Sequence, residues 1–181
     1  MNVSNVLNVL FKHKSLISTE NIFLKDSIGR TLSRPITVNK NIPGFDTSSM
    51  DGFAIKKSSI GKIKRFRILG EIPAGSKSGL TIKSNECFRV FTGSKMPKNA
   101  DFVVIQENTR IEENFMYVVN VDKKSPYVRK KGLDFNKGQI IGYPMIIDFK
   151  LISALASLNL EKVSVIKKPK VCIIPTGNEV L

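Results

Sequence analysis

Val3, Val6, Leu7, Leu10 and Phe11 recur at three- and four-residue spacing, which predicts a short amphipathic helix with Ser4 near its start as a cap. Its apolar stripe needs a surface to dock on. Beyond Thr19, Ile22 and Leu24 read as a short strand and residues 26–32 as one or two helical turns, closed by Pro35. From Ile36 to Gln139 the pattern is β. Short segments rich in Val, Ile and Phe (FAI, KRFRIL, LTI, CFRVF, DFVVIQE, FMYVVNV) are separated by Gly, Pro, Asn and Asp. Such spacing predicts a compact, mostly antiparallel barrel or sandwich rather than a doubly wound sheet. The helical period then returns at Leu151, Ile152, Leu155, Ala156 and Leu158, with Asp148 as N-cap and Asn159 as the stop. Two strands follow, KVSVI (162–166) and KVCII (170–174). The second is apolar on both faces, as in strands buried within a parallel sheet under helices. No sequence after Leu181 supplies that sheet, so the expectation is the front part of a longer protein, or an end that pairs with another chain.

Composition narrows the classes. Hydrophobic residues make up 41% and charged residues 24%, with no low-complexity tract, which argues against a disordered chain. The longest apolar runs, such as 145–147 and 171–174, fall far short of the roughly 20 residues a membrane helix needs. Lys12, His13 and Lys14 interrupt the N-terminal apolar stretch, so it is not read as a secretory signal. Cys87 and Cys172 are too few and too far apart for a disulfide framework or a zinc site, and a reducing cytoplasm is the simplest expectation.

The net charge of +14 raises a nucleic-acid partner. Between Val38 and Lys137 there are 19 Lys and Arg against 10 Asp and Glu. They are not interleaved with aromatics, however. Residues 62–68 (KIKRFRI) alternate as a strand with one solvated face, and 127–131 (YVRKK) form a short basic cluster. A solvated basic surface is the plain reading, and attraction of a small polyanion is the alternative.

Four places carry polar residues that structure alone explains poorly. In Ser48-Ser49-Met50-Asp51-Gly52, Asp-Gly is the strongest short hairpin signal, so Asp51 taken alone reads as a turn residue. Phe91-Thr92-Gly93-Ser94 is a turn just past a strand. Gly132-Leu133-Asp134 follows the basic cluster. Thr176-Gly177-Asn178-Glu179 reads as a strand-to-helix turn whose free N–H groups suit an anion. Three carboxylates and a threonine just past strands can hold a metal or move protons if they converge, which spacing does not decide. His13, the single histidine, sits on the opening helix and supports no Ser-His-Asp or Cys-His site.

Taken in order, IGRTL (28–32), PGFDTSSMDGFAI, GEIPAGS (70–76), FRVFTGSKMPKNADFVVIQEN (88–108), VRKKGLD (128–134), LISALASLNLEKVSVIKKPKV and TGNEV (176–180) span nearly the whole chain. This series resembles the molybdopterin molybdenumtransferase family, the MoeA and gephyrin E-domain proteins. The resemblance implies an α+β, mostly β fold, with a β-rich domain over 38–138 inserted in a small α/β domain (19–37 with 139–168). Residues 1–18 and 169–181 would belong to a further α/β, molybdopterin-binding domain, of which only the first strand is present. It implies an elongated homodimer that inserts molybdate into adenylylated molybdopterin, with Mg2+ as cofactor and a molybdopterin adenylyltransferase as a possible partner. By similarity Asp51, Thr92, Asp134 and Glu179 are catalytic, and Ser49, Met50, Gly52, Gly93 and Gly177 bind the ligand, with no metal ligands assigned. Met50 and Phe53 would anchor the loop that carries Asp51, and Lys130 and Lys131 would offset the charge of an anionic ligand. The sequence departs from the family pattern at Leu133, Asn159 and Pro175. A dimerising or scaffolding module without chemistry is the reading from another class, and a nucleic-acid-binding domain is a third.

Overall fold

The structure, a computed structural model, describes residues 2–12, 18–76, 79–173 and 175. The chain divides into two compact units, Met1–Thr37 with Ile140–Leu181, and Val38–Gln139.

The first unit opens with helix α1 (Val3–Lys12). Asn2, not Ser4, begins it: the Asn2 side chain accepts the Ser4 N–H at 3.2 Å, and its carbonyl accepts those of Asn5 and Val6. None of its residues is buried, and Val3 and Phe11 are 72% and 74% exposed, so no described residue covers the apolar stripe. Strand β1 (Thr19–Phe23) leads into a single 3-10 turn at Leu24–Asp26. The helical turns expected over 26–32 do not continue from it. Gly29 takes φ +75°, and Thr31 and Leu32 extend to bridge Ile146 and Val165. Leu32 is thereby fully buried, and tertiary pairing outweighs a weak local preference. Strand β2 (Ile36–Thr37) closes this part of the unit.

Between Val38 and Gln139, the second unit holds β3 (Thr47–Ser48), β4 (Gly52–Ile55), β5 (Arg65–Ile72), β6 (Glu86–Val90) and β7 (Phe102–Ile105). Then come β8 (Thr109–Glu112), β9 (Phe115–Val118) and β10 (Val128–Arg129). Six of these form one curled sheet in the order β7-β4-β6-β5-β9-β8. All neighbours are antiparallel except β5 and β6. The mostly antiparallel expectation holds, while the LTI segment departs from it. Among its residues only Thr81 makes a bridge, to Lys98, although Ile82 is buried.

Alternation along each strand feeds two apolar clusters on opposite faces. Phe53 and Ile55 of β4 join Phe66, Cys87, Phe102 and Val104, whereas Ala54 joins Ile72, Phe88, Val90 and Val103. Strand β5 changes face partway. Ile68 pairs Cys87 but Glu71 pairs Arg89, so β5 takes three steps where β6 takes two, with Gly70 at φ +142° inside the shift. The slip puts Phe66 in one cluster and Ile72 in the other, as a one-residue change of register must.

The chain returns to the first unit through β11 (Ile140–Ile141), α2 (Phe149–Ser157) and β12 (Lys162–Ile166). There β11 pairs antiparallel with β2, and β12 with β1. The α2 ends match the sequence reading. The Asp148 carboxylate accepts the Leu151 N–H at 2.8 Å, and Asn159 takes φ +58° while the Asn159 and Leu160 N–H groups donate to Ala156 and Leu155. Asparagine is one of the few non-glycine residues that tolerates this left-handed position. Asn159→Ala is therefore expected to lower the stability of this unit by about 1 kcal/mol, and Asn159→Gly to leave it unchanged or raised, as judged by denaturation midpoints. The expected last strand does not form among described residues. Lys170–Ile173 carry no strand assignment and Val171 and Ile173 are 79% and 87% exposed, while Ile174 lies outside the described residues.

Candidate functional site

The site grows from two residues of backbone. Strand β3 is flanked on both sides: Arg129 and Val128 of β10 pair with Thr47 and Ser48, while Lys95 bridges Thr47 across the other edge. The Ser48 N–H donates to Ser94 O at 2.9 Å and the Gly93 N–H to Ser48 O at 2.8 Å. The Ser49 N–H donates to Tyr127 O at 3.0 Å. Three loops far apart in sequence, 46–51, 91–95 and 127–134, are therefore laid side by side. Ser48 and Ser94 are fully buried and bond locally, Ser48 to the Met50 carbonyl and Ser94 to the Phe91 N–H, so they shape the loops rather than face a ligand.

Asp51 and Thr92 meet at the tips of two of these loops. One carboxylate oxygen of Asp51, Oδ1, accepts the Thr92 N–H at 2.7 Å and the Thr92 hydroxyl at 2.9 Å. Gly93, at φ +84°, makes the turn that presents both donors. The Thr92 N–H and then the Thr92 hydroxyl hold Asp51 below the ordinary carboxylate range; burial opposes them, and the charge of Arg89 adds a lesser pull in the same direction as Thr92. Asp51 is thus a fixed, ionised group whose second oxygen has no hydrogen-bond partner among the described residues. Arg89 is itself steadied by Glu71 at 3.1 Å and by the Phe91 ring 5.3 Å away.

A pH titration tests this geometry. Because the folded pKa is depressed, Asp51 favours folding above the unfolded carboxylate pKa, and that contribution is lost as pH falls through the folded value. Thr92→Ala removes one of the two donors and leaves the backbone N–H. Its Asp51 carboxyl resonance is expected to titrate higher than in the unaltered chain, yet still below the ordinary value of about 3.9. An unmoved midpoint contradicts the bond.

Asp134 stands on the neighbouring loop, where Gly132 takes φ +76° and the Asp134 N–H donates to Ile42 O at 2.9 Å. Its carboxylate is engaged by Arg129 at 3.0 and 2.7 Å and makes no hydrogen bond to Asp51 or Thr92. Lys130 and the Lys131 N–H bind Asp46 at 2.8 Å each. Burial pushes the Asp46 carboxyl up, but these partners outweigh it and hold it below its usual value. Arg89, Arg129 and Asp46 are not among the site residues that the sequence singles out. Arg129 stands in the basic cluster five residues before Asp134, and no pattern shows that it turns back onto that carboxylate.

The Asp-Gly pair forms no hairpin. Strand β3 pairs with β10, and β4 with β6 and β7, so Asp51 sits in a bend between strands that never pair with each other. Gly52 is buried in β4, and a Cβ there would strike the Val104 carbonyl and stand 2.9 Å from Ile105 Cα. Phe53, 1% exposed, anchors the loop, but Met50 is exposed and does not. Gly177 and Glu179 lie outside the described residues. Among those described, no group of three or more His, Cys, Asp or Glu side chains is placed to hold a metal ion.

Residues 1–158 match the family described as the MoeA N-terminal region, domain I and II. The chain belongs to the MoeA family. A molybdopterin molybdenumtransferase of Nostoc sp. is 31% identical over 182 residues, covering 97% of this chain and 42% of that protein. Its Staphylococcus epidermidis counterpart is 31% identical over 194 residues, covering 100% and 45%. The crystal structure of a molybdopterin biosynthesis MoeA protein from Pyrococcus horikoshii superposes with a TM-score of 0.77 at 26% identity, over 92% of this chain and 46% of that one. The chain thus spans a little under half the length of these MoeA relatives.

Proposed function

We propose that this chain supplies the β-rich half of a molybdenum-inserting active site, in a cytoplasmic homodimer that transfers molybdate to adenylylated molybdopterin with release of AMP. The observation that carries the reading is the Asp51–Thr92 pair, in a chain whose relatives bear the name molybdopterin molybdenumtransferase. Thr92 occupies Oδ1 and keeps Asp51 ionised, leaving Oδ2 directed by that constraint. A magnesium ion suits such a place, since it keeps most of its waters and takes one or two carboxylates together with substrate phosphates. Asp51 is the residue that would hold it, and the ion would offset phosphate charge. Arg129 keeps Asp134 paired, so in the described arrangement Asp134 orients this basic loop rather than presenting a free carboxylate. Lys131, whose ammonium forms no ion pair among the described residues, draws in a multiply anionic ligand. Glu179 would face the same ligand from the partner side of the cleft, as the family resemblance implies. A molybdopterin adenylyltransferase would provide the adenylylated substrate.

The direct test is a chimera in which this chain replaces the matching part of the Staphylococcus epidermidis relative. Molybdenum incorporation from molybdate and adenylylated molybdopterin, coupled to AMP release, is expected. A folded chimera that binds the substrate yet releases no AMP and incorporates no metal would sink the proposal.

A further inference from the structure

A concavity of the second unit shares no residue with the Asp51, Thr92 and Asp134 loops. It is a cavity of about 820 Å3 between the 60–64 turn and the end of β9 with its outgoing loop. That size falls within the range of small-molecule sites, about 300–1,000 Å3. Its floor is apolar: Ile63, Val118 and Val121 line it and pack beneath onto the Phe53, Phe66 and Phe102 cluster. Its rim is cationic. Lys64, Arg110 and Lys123 line it, and among the described residues no Asp or Glu does.

The rim charges differ in availability. Arg110 lies over the Tyr117 ring at 5.5 Å and pairs with Glu112 at 3.0 Å. Lys64 and Lys123 form no ion pair among the described residues. Asp122, next to Lys123 in sequence, is engaged by other donors. One of its oxygens takes the Lys124 N–H and the other the Ser125 hydroxyl, both at 2.9 Å. Gly61, at φ +80°, leaves room for Lys123, whose Nζ lies 3.5 Å from the position a Cβ would occupy there. Two uncompensated ammonium groups thus stand over an apolar floor.

We propose that this cavity binds a small amphipathic organic anion, an acidic head on an apolar or aromatic body. A bare oxyanion leaves the Ile63, Val118 and Val121 floor in contact with water. A neutral apolar molecule leaves both ammonium groups without a counter-charge. A nucleic-acid strand gains little, because the one aromatic face in the lining, Tyr117, is already covered by Arg110.

The test uses the 181-residue chain with three probes: the aromatic sulfonate 1-anilinonaphthalene-8-sulfonate, its uncharged relative N-phenyl-1-naphthylamine, and inorganic phosphate. Binding is followed by fluorescence and by amide chemical shifts. The sulfonate is expected to bind saturably at one site and to shift the amides of Gly61, Val119, Asn120 and Val121. The Lys64→Gln/Lys123→Gln variant changes only exposed side chains and should keep its thermal midpoint, while binding the sulfonate about tenfold more weakly or worse. Non-saturable binding or shifts confined to other residues overturn the proposal, as does undiminished affinity in the variant. Equal affinity for the uncharged probe removes the role of the lysines, and equal affinity for phosphate removes that of the floor. Either result also overturns it.

Discussion

Asp51→Ala, placed in the chimera with the Staphylococcus epidermidis relative, is expected to lower molybdate insertion by about a hundredfold or more, the usual scale for loss of a positioned catalytic carboxylate. The loss should fall mainly on turnover, because under the proposed function the anionic substrate would be drawn in by Lys131 rather than by a carboxylate. Asp51→Asn separates charge from shape. It can still accept the Thr92 N–H and hydroxyl bonds, yet it carries no charge to set against a cation, so its turnover should fall nearly as far. Stability at neutral pH should fall only modestly, by the contribution Asp51 makes through its Thr92 bonds, since those bonds join two loop tips already fixed by the β3 ladder. AMP release within twofold of the parent chimera, in a variant shown to be folded, removes Asp51 from the reaction.

One residue further on, Gly52→Ala is expected to destabilise the second unit by roughly 3 kcal/mol or more, at the upper end of what overpacking costs. The added methyl group meets backbone and not a movable side chain. Besides the Val104 carbonyl oxygen, the Val104 carbonyl carbon and Ile105 Cα both stand 2.9 Å from its position. Relief requires β4 and β7 to separate where Gly52 pairs Ile105, between strands that carry Phe53 and Phe102 into the core. The denaturation midpoint should fall with little change in the slope of the transition. A midpoint within 0.5 kcal/mol of the unaltered chain would mean that the two strands do not approach as described.

These two neighbours also show where sequence reasoning stops. Asp-Gly reads as a hairpin because the pair favours tight two-residue turns. At this place the glycine serves a different need, the close approach of a strand more than fifty residues later, and no local pattern carries that information. Asp46 is similar. No local pattern marks it out, and only the tertiary structure brings Lys130 and the Lys131 N–H onto it. Arg129 and Asp134 lie within one loop, yet their contact depends on the left-handed turn at Gly132. Pairing across such distances is set by which apolar faces must be buried together, a property of the whole sheet.

Where the governing forces are local, the residues were sufficient. Helix α2 has its Asp148 cap and its Asn159 stop because both act within one helical turn. KVSVI becomes β12, and the Val- and Phe-rich runs become β4 to β7 and β9, because short runs of β-branched and aromatic residues bounded by turn residues favour extended backbone. The ordered motifs also sufficed to place the chain in its family. The tertiary structure alone decided which strands became neighbours, where β5 slips by one residue to serve two cores, and that Thr92 reaches Asp51. Those outcomes balance contacts between segments distant in the chain, and they acquire an energy only once the sheet has closed around them.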